Sequence, residues 1–190
     1  MFIRSERLFL RPAWPEDWQE LLALIADEGI VRNLARAPWP YGPDQARDFA
    51  ARPQDPRLPH FFVSTAADGA MIGSVGLGRD DAEGSGGRTE LGYWIARSHW
   101  GRGYAPEAAC AVLRLARTLG HRHLVAGYFV DNPASGRVLA KVGFRPTGKV
   151  VPRFSLGRGC EVESVEYTAD LGNASDCDGA CDDWAAMRAA

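Results

Sequence analysis

Apolar and polar residues alternate from Ile3 to Pro12, with Leu8 and Leu10 set between Arg7, Phe9 and Arg11, a period of two that predicts a strand. Pro12 and Pro15 end it. Pro15-Glu16-Asp17 then opens an amphipathic helix with the stripe Leu21, Leu22, Leu24 and Ile25, expected to end near Gly29. Between Ile30 and Pro59 the pattern is irregular, with one short helix expected from Pro43 to Ala51. Period-two patterning returns at His60–Thr65 and Ala70–Arg79, joined across the turn dipeptide Asp68-Gly69 as a hairpin, and again at Arg88–Ala96. In this last strand Leu91, Tyr93 and Ile95 share one face, and Glu90, Gly92 and Trp94 the other.

Helical spacing follows in Ala108, Val112, Leu115 and Leu119, predicting a helix over Ala105–Leu119 stopped by Gly120. Leu124–Val130 reads as a strand, Pro133–Val142 as a helix stopped by Gly143, and Arg145–Phe154 with Cys160–Asp170 as two more extended segments. The order is strand, helices, three strands, helix, strand, helix, two strands. It predicts a mixed α+β domain with helices on both faces of one sheet.

Composition narrows the field of function. The chain has 22 Lys and Arg against 24 Asp and Glu, a net charge of −2, so there is no general electrostatic reason to bind nucleic acid or an anionic membrane. Charges interrupt the first residues too early for a signal peptide, and no apolar run reaches about 18 residues, so a cytoplasmic location is expected. In a reducing compartment Cys110, Cys160, Cys177 and Cys181 are expected as free thiols. Cys177 and Cys181 could share a helix face, yet nothing supplies the two further ligands a zinc site needs, and no metal is expected. Residues 171–190 are small, acidic and alanine-rich, and stand apart from the domain expected over 1–170 as a tail that could pair two chains into a homodimer.

The chemistry concentrates in Trp100-Gly101-Arg102-Gly103-Tyr104-Ala105, which feeds a helix. Two glycines leave the backbone free to turn amides toward one point, and the helix N-terminus adds uncapped N–H groups, so the segment reads as an anion cradle. It fits no other phosphate-binding pattern: there is no Gly-x-x-x-x-Gly-Lys-Ser/Thr, and the third glycine of Gly-x-Gly-x-x-Gly is replaced by Pro106.

Several runs together resemble the GNAT acyltransferase superfamily. They are Glu90-Leu91-Gly92-Tyr93-Trp94-Ile95, Trp100 to Ala108, Asn132-Pro133-Ala134-Ser135, and Leu139-Ala140-Lys141-Val142-Gly143-Phe144. With Glu6-Arg7-Leu8-Phe9-Leu10-Arg11-Pro12 as the opening strand, the likeness runs from residue 6 to about 170 and is greatest to the branch of the ribosomal-protein N-terminal acetyltransferases. The resemblance implies a mixed, mostly antiparallel twisted sheet whose fourth and fifth strands splay, with acetyl-CoA in the gap and its pyrophosphate on the glycine loop. The family pattern there, Gln/Arg-x-x-Gly-x-Gly/Ala, aligns with Trp100, Gly103 and Ala105, and Trp100 departs from it.

On that footing Trp94, Ile95 and Ala96 offer backbone groups to pantetheine, and an amide near Ile95 serves as oxyanion donor. Arg102 pairs with phosphate or is a solvated loop arginine. Arg97, Arg137 and Lys141 are candidates for the 3′-phosphate. Asn132 caps a helix, binds pantetheine, or does both. Ser135 protonates the departing thiolate or is an ordinary first-turn serine, with Tyr128 and Tyr104 as rival donors. Glu90 is either the general base for the amine or a surface ion-pair partner. Trp39 and Tyr41 are expected to contact the acceptor, or else to fill the space beneath a loop, and the polar stretch Asp80–Gly87 is expected to help. The function expected is transfer of acetyl to a primary amine, of a protein N-terminus or a small molecule, by direct attack in a ternary complex. The alternative is a non-catalytic acyl-CoA-binding or sensory module.

Overall fold

A computed structural model describes residues 1–80, 86–172 and 181 of the chain. Most of the polar loop after Asp80 and nearly all of the tail, Cys177 included, fall outside the described residues. Eight strands form one sheet in the order β1-β2-β3-β4-β5-β6-β8-β7. They are β1 (Ile3–Arg4), β2 (Leu8–Arg11), β3 (His60–Thr65), β4 (Met71–Arg79), β5 (Thr89–Ile95), β6 (His123–Phe129), β7 (Arg145–Ser155) and β8 (Cys160–Asp170). Every pairing is antiparallel except β5 with β6.

That parallel pair decides what the fold can do. β5 and β6 are in register only at Thr89↔Leu124 and Glu90↔Val125, and beyond these the two strands diverge. β5 remains paired on its other edge to β4 as far as Gly73↔Ile95, and β6 to β8 as far as Phe129↔Ser164. The expected splay of the fourth and fifth strands is therefore present, between the strands that count here as β5 and β6.

Among the described residues, five helices cover the two faces. α1 (Trp18–Ile25), α2 (Glu28–Val31) and α3 (Pro43–Ala50) cover one, where Leu21, Ile25, Val31 and Ala46 pack with Phe62, Met71 and Trp94. α4 (Tyr104–Thr118) and α5 (Pro133–Lys141) cover the other, where Ala108, Val112, Leu113 and Leu139 pack with Leu10, Phe61, Ile72, Leu91 and Leu124. No helix among the described residues is long and apolar enough to cross a membrane.

Three sequence expectations change. The strand expected over Ile3–Pro12 is two short strands folded on each other, Ile3 opposite Leu10, with Ser5 holding the turn through a bond from the Leu8 amide at 3.2 Å. The helix expected to reach Gly29 ends at Ile25. Asp27 accepts from the Gly29 amide at 2.7 Å and so caps α2 as a separate helix, a local side-chain competition that periodicity does not report. Cys110 and Cys181, expected as free thiols, are joined in a disulfide with their Cα atoms 5.8 Å apart across 71 residues of sequence. Cys110 lies on the buried side of α4, and residue spacing carries no sign that the tail returns to it. Cys160 is a free, exposed thiol.

Candidate active site

The gap between β5 and β6 has two differently built sides. On the α4 side the chain leaves Ile95, turns through a short 3₁₀ segment at Arg97–His99, and enters the glycine loop. Gly101 and Gly103 both take positive φ, 75° and 76°, a region that costs a non-glycine residue about 1–2 kcal/mol. Gly103 is the N-cap of α4 and makes no side-chain cap, and the first amide after it to return into the helix is that of Glu107, to the Gly103 carbonyl. Pro106 has no N–H to satisfy. The amides of Gly101 through Ala105 therefore donate to no acceptor among the described residues, at the positive end of a helix of 15 residues.

Along β5 the hydrogen-bonding edge alternates. The Ala96 amide donates back to Ile72 of β4 at 2.8 Å, which turns the N–H and C=O of Tyr93 and Ile95 toward β6. With β6 gone after Val125, the Tyr93 and Ile95 amides look into the gap. The Ile95 carbonyl is taken by the Trp100 indole N–H at 2.6 Å, so the residue that departs from the expected Gln or Arg ties the strand end to the glycine loop.

Behind the gap on this face stand three hydroxyls. The Tyr93 hydroxyl lies 2.8 Å from Ser135 Oγ and 3.1 Å from the Ser135 carbonyl; with its proton given to the carbonyl, it accepts from the serine. Burial pushes the Tyr93 phenol well above its ordinary range, so it keeps its proton at any working pH. Tyr128 lies against Gly136, where a Cβ would meet its ring at 2.7 Å, and its neighbour Tyr167 is pushed upward by burial and by Tyr128 itself. Asn132 is the N-cap of α5, yet its side chain makes no capping hydrogen bond, which leaves that amide for a ligand.

On the opposite face the side chains are charged. Glu90, exposed by only 13%, is gripped by Arg153, Nη1 to Oε1 and Nη2 to Oε2 at 2.8 Å, and by Arg36 Nη2 at 3.3 Å. The Arg153 guanidinium lies over Gly127 of β6, 3.6 Å from where a Cβ would stand, and thus spans the start of the gap from one strand to the other. His60, folded over bare Gly76 and packed edge-on to Phe49, is lowered to about 4 by burial and stays neutral. The turn between β7 and β8 closes the end of this face: Leu156 N–H donates to the Ala35 carbonyl at 2.9 Å, and Arg158 bonds the Arg32 carbonyl and both oxygens of Asp131. These guanidinium contacts hold the Asp131 carboxyl below its usual range.

The structure brings together Glu90, Trp94, Ile95, Ala96, the loop Trp100–Ala105, Tyr128, Asn132 and Ser135 along one gap. The Trp94 side chain is core on the Glu90 face, so only its backbone belongs to the gap. Arg97 is paired with Asp27 at 2.9 Å and is not presented alone, whereas Arg102, Arg137 and Lys141 are exposed. Trp39 is 41% exposed, while Tyr41 is buried in the core with α1 and α3, its hydroxyl donating to the Gln45 carbonyl. Sequence reasoning missed Tyr93, which it placed in an apolar stripe, and Arg153 and Arg36, which carry no local signal. Of the histidines, His99 bonds Ser98, and His121 bonds Thr89 and the Arg57 carbonyl. No group of side chains among the described residues is suited to a metal ion.

Comparison with known proteins meets this geometry. Residues 7–145 match the family described as the acetyltransferase (GNAT) domain. The uncharacterized N-acetyltransferase YoaA of Bacillus subtilis is 28% identical over 172 residues, covering 87% of this chain and 94% of that one. A GNAT-family acetyltransferase structure from Bacillus anthracis superposes with a TM-score of 0.77 at 21% identity, covering 91% and 100% of the two chains. One assigned as a ribosomal-protein-serine acetyltransferase from Vibrio cholerae gives 0.69 at 18%, covering 90% and 97%. The microcin C7 self-immunity acetyltransferase MccE, solved with acetyl-CoA and AMP, gives 0.71 at 18%, covering 87% and 93%. A diverging β5–β6 pair beside a glycine loop, in a chain matched by the family over most of its length, makes this protein a member of the GNAT acetyltransferase family.

Proposed function

We propose that the protein transfers an acetyl group from acetyl-CoA to a primary amine. The observation that carries the reading is the set of unpaired amides: those of Gly101 to Ala105 at one end of the gap and those of Tyr93 and Ile95 along its edge. The first set suits a pyrophosphate and the second a pantetheine amide and thioester oxygen. MccE was solved with acetyl-CoA, which supports the same donor here. Arg102 adds charge at the pyrophosphate, Asn132 a side-chain amide to pantetheine, and Arg137 and Lys141, one turn apart on α5, suit the 3′-phosphate.

In this mechanism the amine approaches from the Glu90 face, because α4 and α5 occupy the other. Glu90 takes the ammonium proton, through water where Arg153 covers the carboxylate, and leaves a nitrogen lone pair. Nitrogen attacks the thioester carbon while the Ile95 amide holds the developing oxyanion, a contact worth about 3 kcal/mol. As the C–S bond breaks, the thiolate takes a proton relayed by Ser135, which is reprotonated, through water, by the proton the attacking nitrogen gives up on becoming an amide, and Tyr93 holds the serine in place. No covalent enzyme intermediate forms. Acceptors considered on this scaffold are a protein N-terminus, for which the likeness to the Vibrio cholerae protein is the support, and small amines, with Trp39 as an exposed aromatic contact. The domain is taken to extend over 1–170 with the tail as an appendage.

The test is release of free thiol from acetyl-CoA, with enzyme and without, across amines, amino acids and short peptides. Acceptor-dependent release establishes transfer. Tight acetyl-CoA binding with no acceptor-dependent release over the panel would replace the reading with an acyl-CoA-binding module.

A further inference from the structure

Unpaired amides make a cradle only if they point the same way. With Gly101 and Gly103 at positive φ, the peptide planes between them are flanked by residues that have no Cβ, so their orientation is only weakly set locally and needs a further contact to fix it. The carbonyl of Arg102 accepts a hydrogen bond from Nη1 of Arg7 at 3.0 Å. In a trans peptide the C=O and the following N–H point in opposite directions, so drawing the Arg102 carbonyl toward Arg7 aims the Gly103 N–H away from it, outward.

Arg7 is itself fixed from several sides. Its Nε and Nη2 reach Glu107 Oε2 at 2.8 and 2.7 Å, its guanidinium lies 4.5 Å from the centroid of the Tyr104 ring, and its amide donates to Glu107 Oε1 at 2.8 Å. Ser5 Oγ donates to the same oxygen at 2.8 Å. Glu107 is only 6% exposed and sits in the first turn of α4, immediately behind the amides that would hold an anion. A bare carboxylate there would repel a phosphate. The guanidinium cancels that charge and converts the carboxylate into an anchor.

We propose that Arg7 and Glu107 are positioning residues for donor binding: a guanidinium–carboxylate lock, closed across 100 residues of sequence, that sets the Arg102–Gly103 peptide plane and so the cradle for the pyrophosphate. This rests on the donor reading given above. Neither residue touches the reacting atoms. The lock makes the opening turn of the chain part of the donor site, and it predicts that damage to it is felt by donors carrying a pyrophosphate and by no others.

The experiment compares acetyl-CoA with S-acetylpantetheine, which has the thioester and pantetheine arm but no pyrophosphate, in the full-length protein. Arg7→Met raises the calorimetric Kd and the KM for acetyl-CoA by about ten- to a hundredfold, the range one lost charge-assisted hydrogen bond corresponds to. Its kcat stays within about threefold, and kcat/KM with S-acetylpantetheine is unchanged. Glu107→Gln, which keeps an acceptor oxygen for Arg7, loses less than Glu107→Ala. Should Arg7→Met fail to fold, Arg7→Lys and Glu107→Gln read the same ratio. Equal losses with both donors, or an unchanged acetyl-CoA Kd, overturn the lock. If the wild type shows no preference for acetyl-CoA over S-acetylpantetheine, it is the cradle assignment that falls.

Discussion

The two sides of the gap are made of different material. Toward α4, the binding surface is backbone: consecutive amides from Gly101 to Ala105, plus two more along β5. Toward α1 and α3 it is side chains, Glu90 from β5 held by Arg153 from β7 and by Arg36 from the segment after α2, with Arg153 lying over bare glycine at position 127. A backbone surface recognises what every donor of one class shares and tolerates change in its own side chains. A side-chain surface is built from distant segments and can be altered piece by piece, so we assign the constant donor to the first and the acceptor to the second.

The sharpest way to break this division is Gly103→Glu. It forces a Cβ into a left-handed position and places a carboxylate among the amides proposed to hold the pyrophosphate, and acetyl-CoA affinity should fall by about a hundredfold or more in calorimetry. Unchanged affinity would remove the backbone side from the donor.

Glu90→Gln keeps the shape of the ion-paired side chain and removes its ability to take a proton. Turnover should fall by about a hundredfold while the acetyl-CoA Kd moves by less than about twofold. A parallel loss of donor affinity would mean the two sides are not separable.

His60 offers a stability test of the Glu90 face. Burial lowers it to about 4, below the roughly 6.5 of an unfolded histidine, so between those values the unfolded chain binds the extra proton. Stability contributed by the neutral ring is whole above about pH 6.5 and is lost as pH falls toward 4, by at most about 3 kcal/mol. Denaturant midpoints over that window, wild type against His60→Phe, measure it, and identical slopes would show that the ring is not enclosed as described.

The smallest effect is expected from Tyr93→Phe. It deletes one hydroxyl and leaves Ser135 Oγ without that partner, which costs about 1 kcal/mol and lowers kcat about fivefold at fixed donor affinity. A wild-type kcat would separate Ser135 from the chemistry.

Most of the sheet was legible in the residues because its strands are runs rich in apolar residues bounded by glycine, proline and aspartate turns, although β3 and β4 are buried on both faces. The boundaries of β3, β5, β6, α4 and α5 fall within a few residues of those expected from patterning. The break between α1 and α2 was not legible, because Asp27 ends the helix by a side-chain bond inside a run that still looks helical. The glycine loop was legible as a turn into a helix N-terminus, since its two glycines, 101 and 103, are separated by a single residue. Tyr93 was hidden by its own strand pattern, as a tyrosine in an apolar stripe looks the same whether or not a hydroxyl waits beneath the neighbouring helix.

Glycines at 101 and 103, the proline at 106 and the alternation around Glu90 are local facts, and from them the sequence by itself determined a sheet, a helix N-terminus and an exposed row of amides. Only the tertiary structure decided that β6 leaves β5 after two paired positions, that Arg153 closes on Glu90, that Arg7 holds Glu107, and that Cys110 meets Cys181. Each of these joins partners dozens of residues apart. Periodicity and spacing record the faces a segment presents to its surroundings, and leave no trace of which distant side chain arrives there.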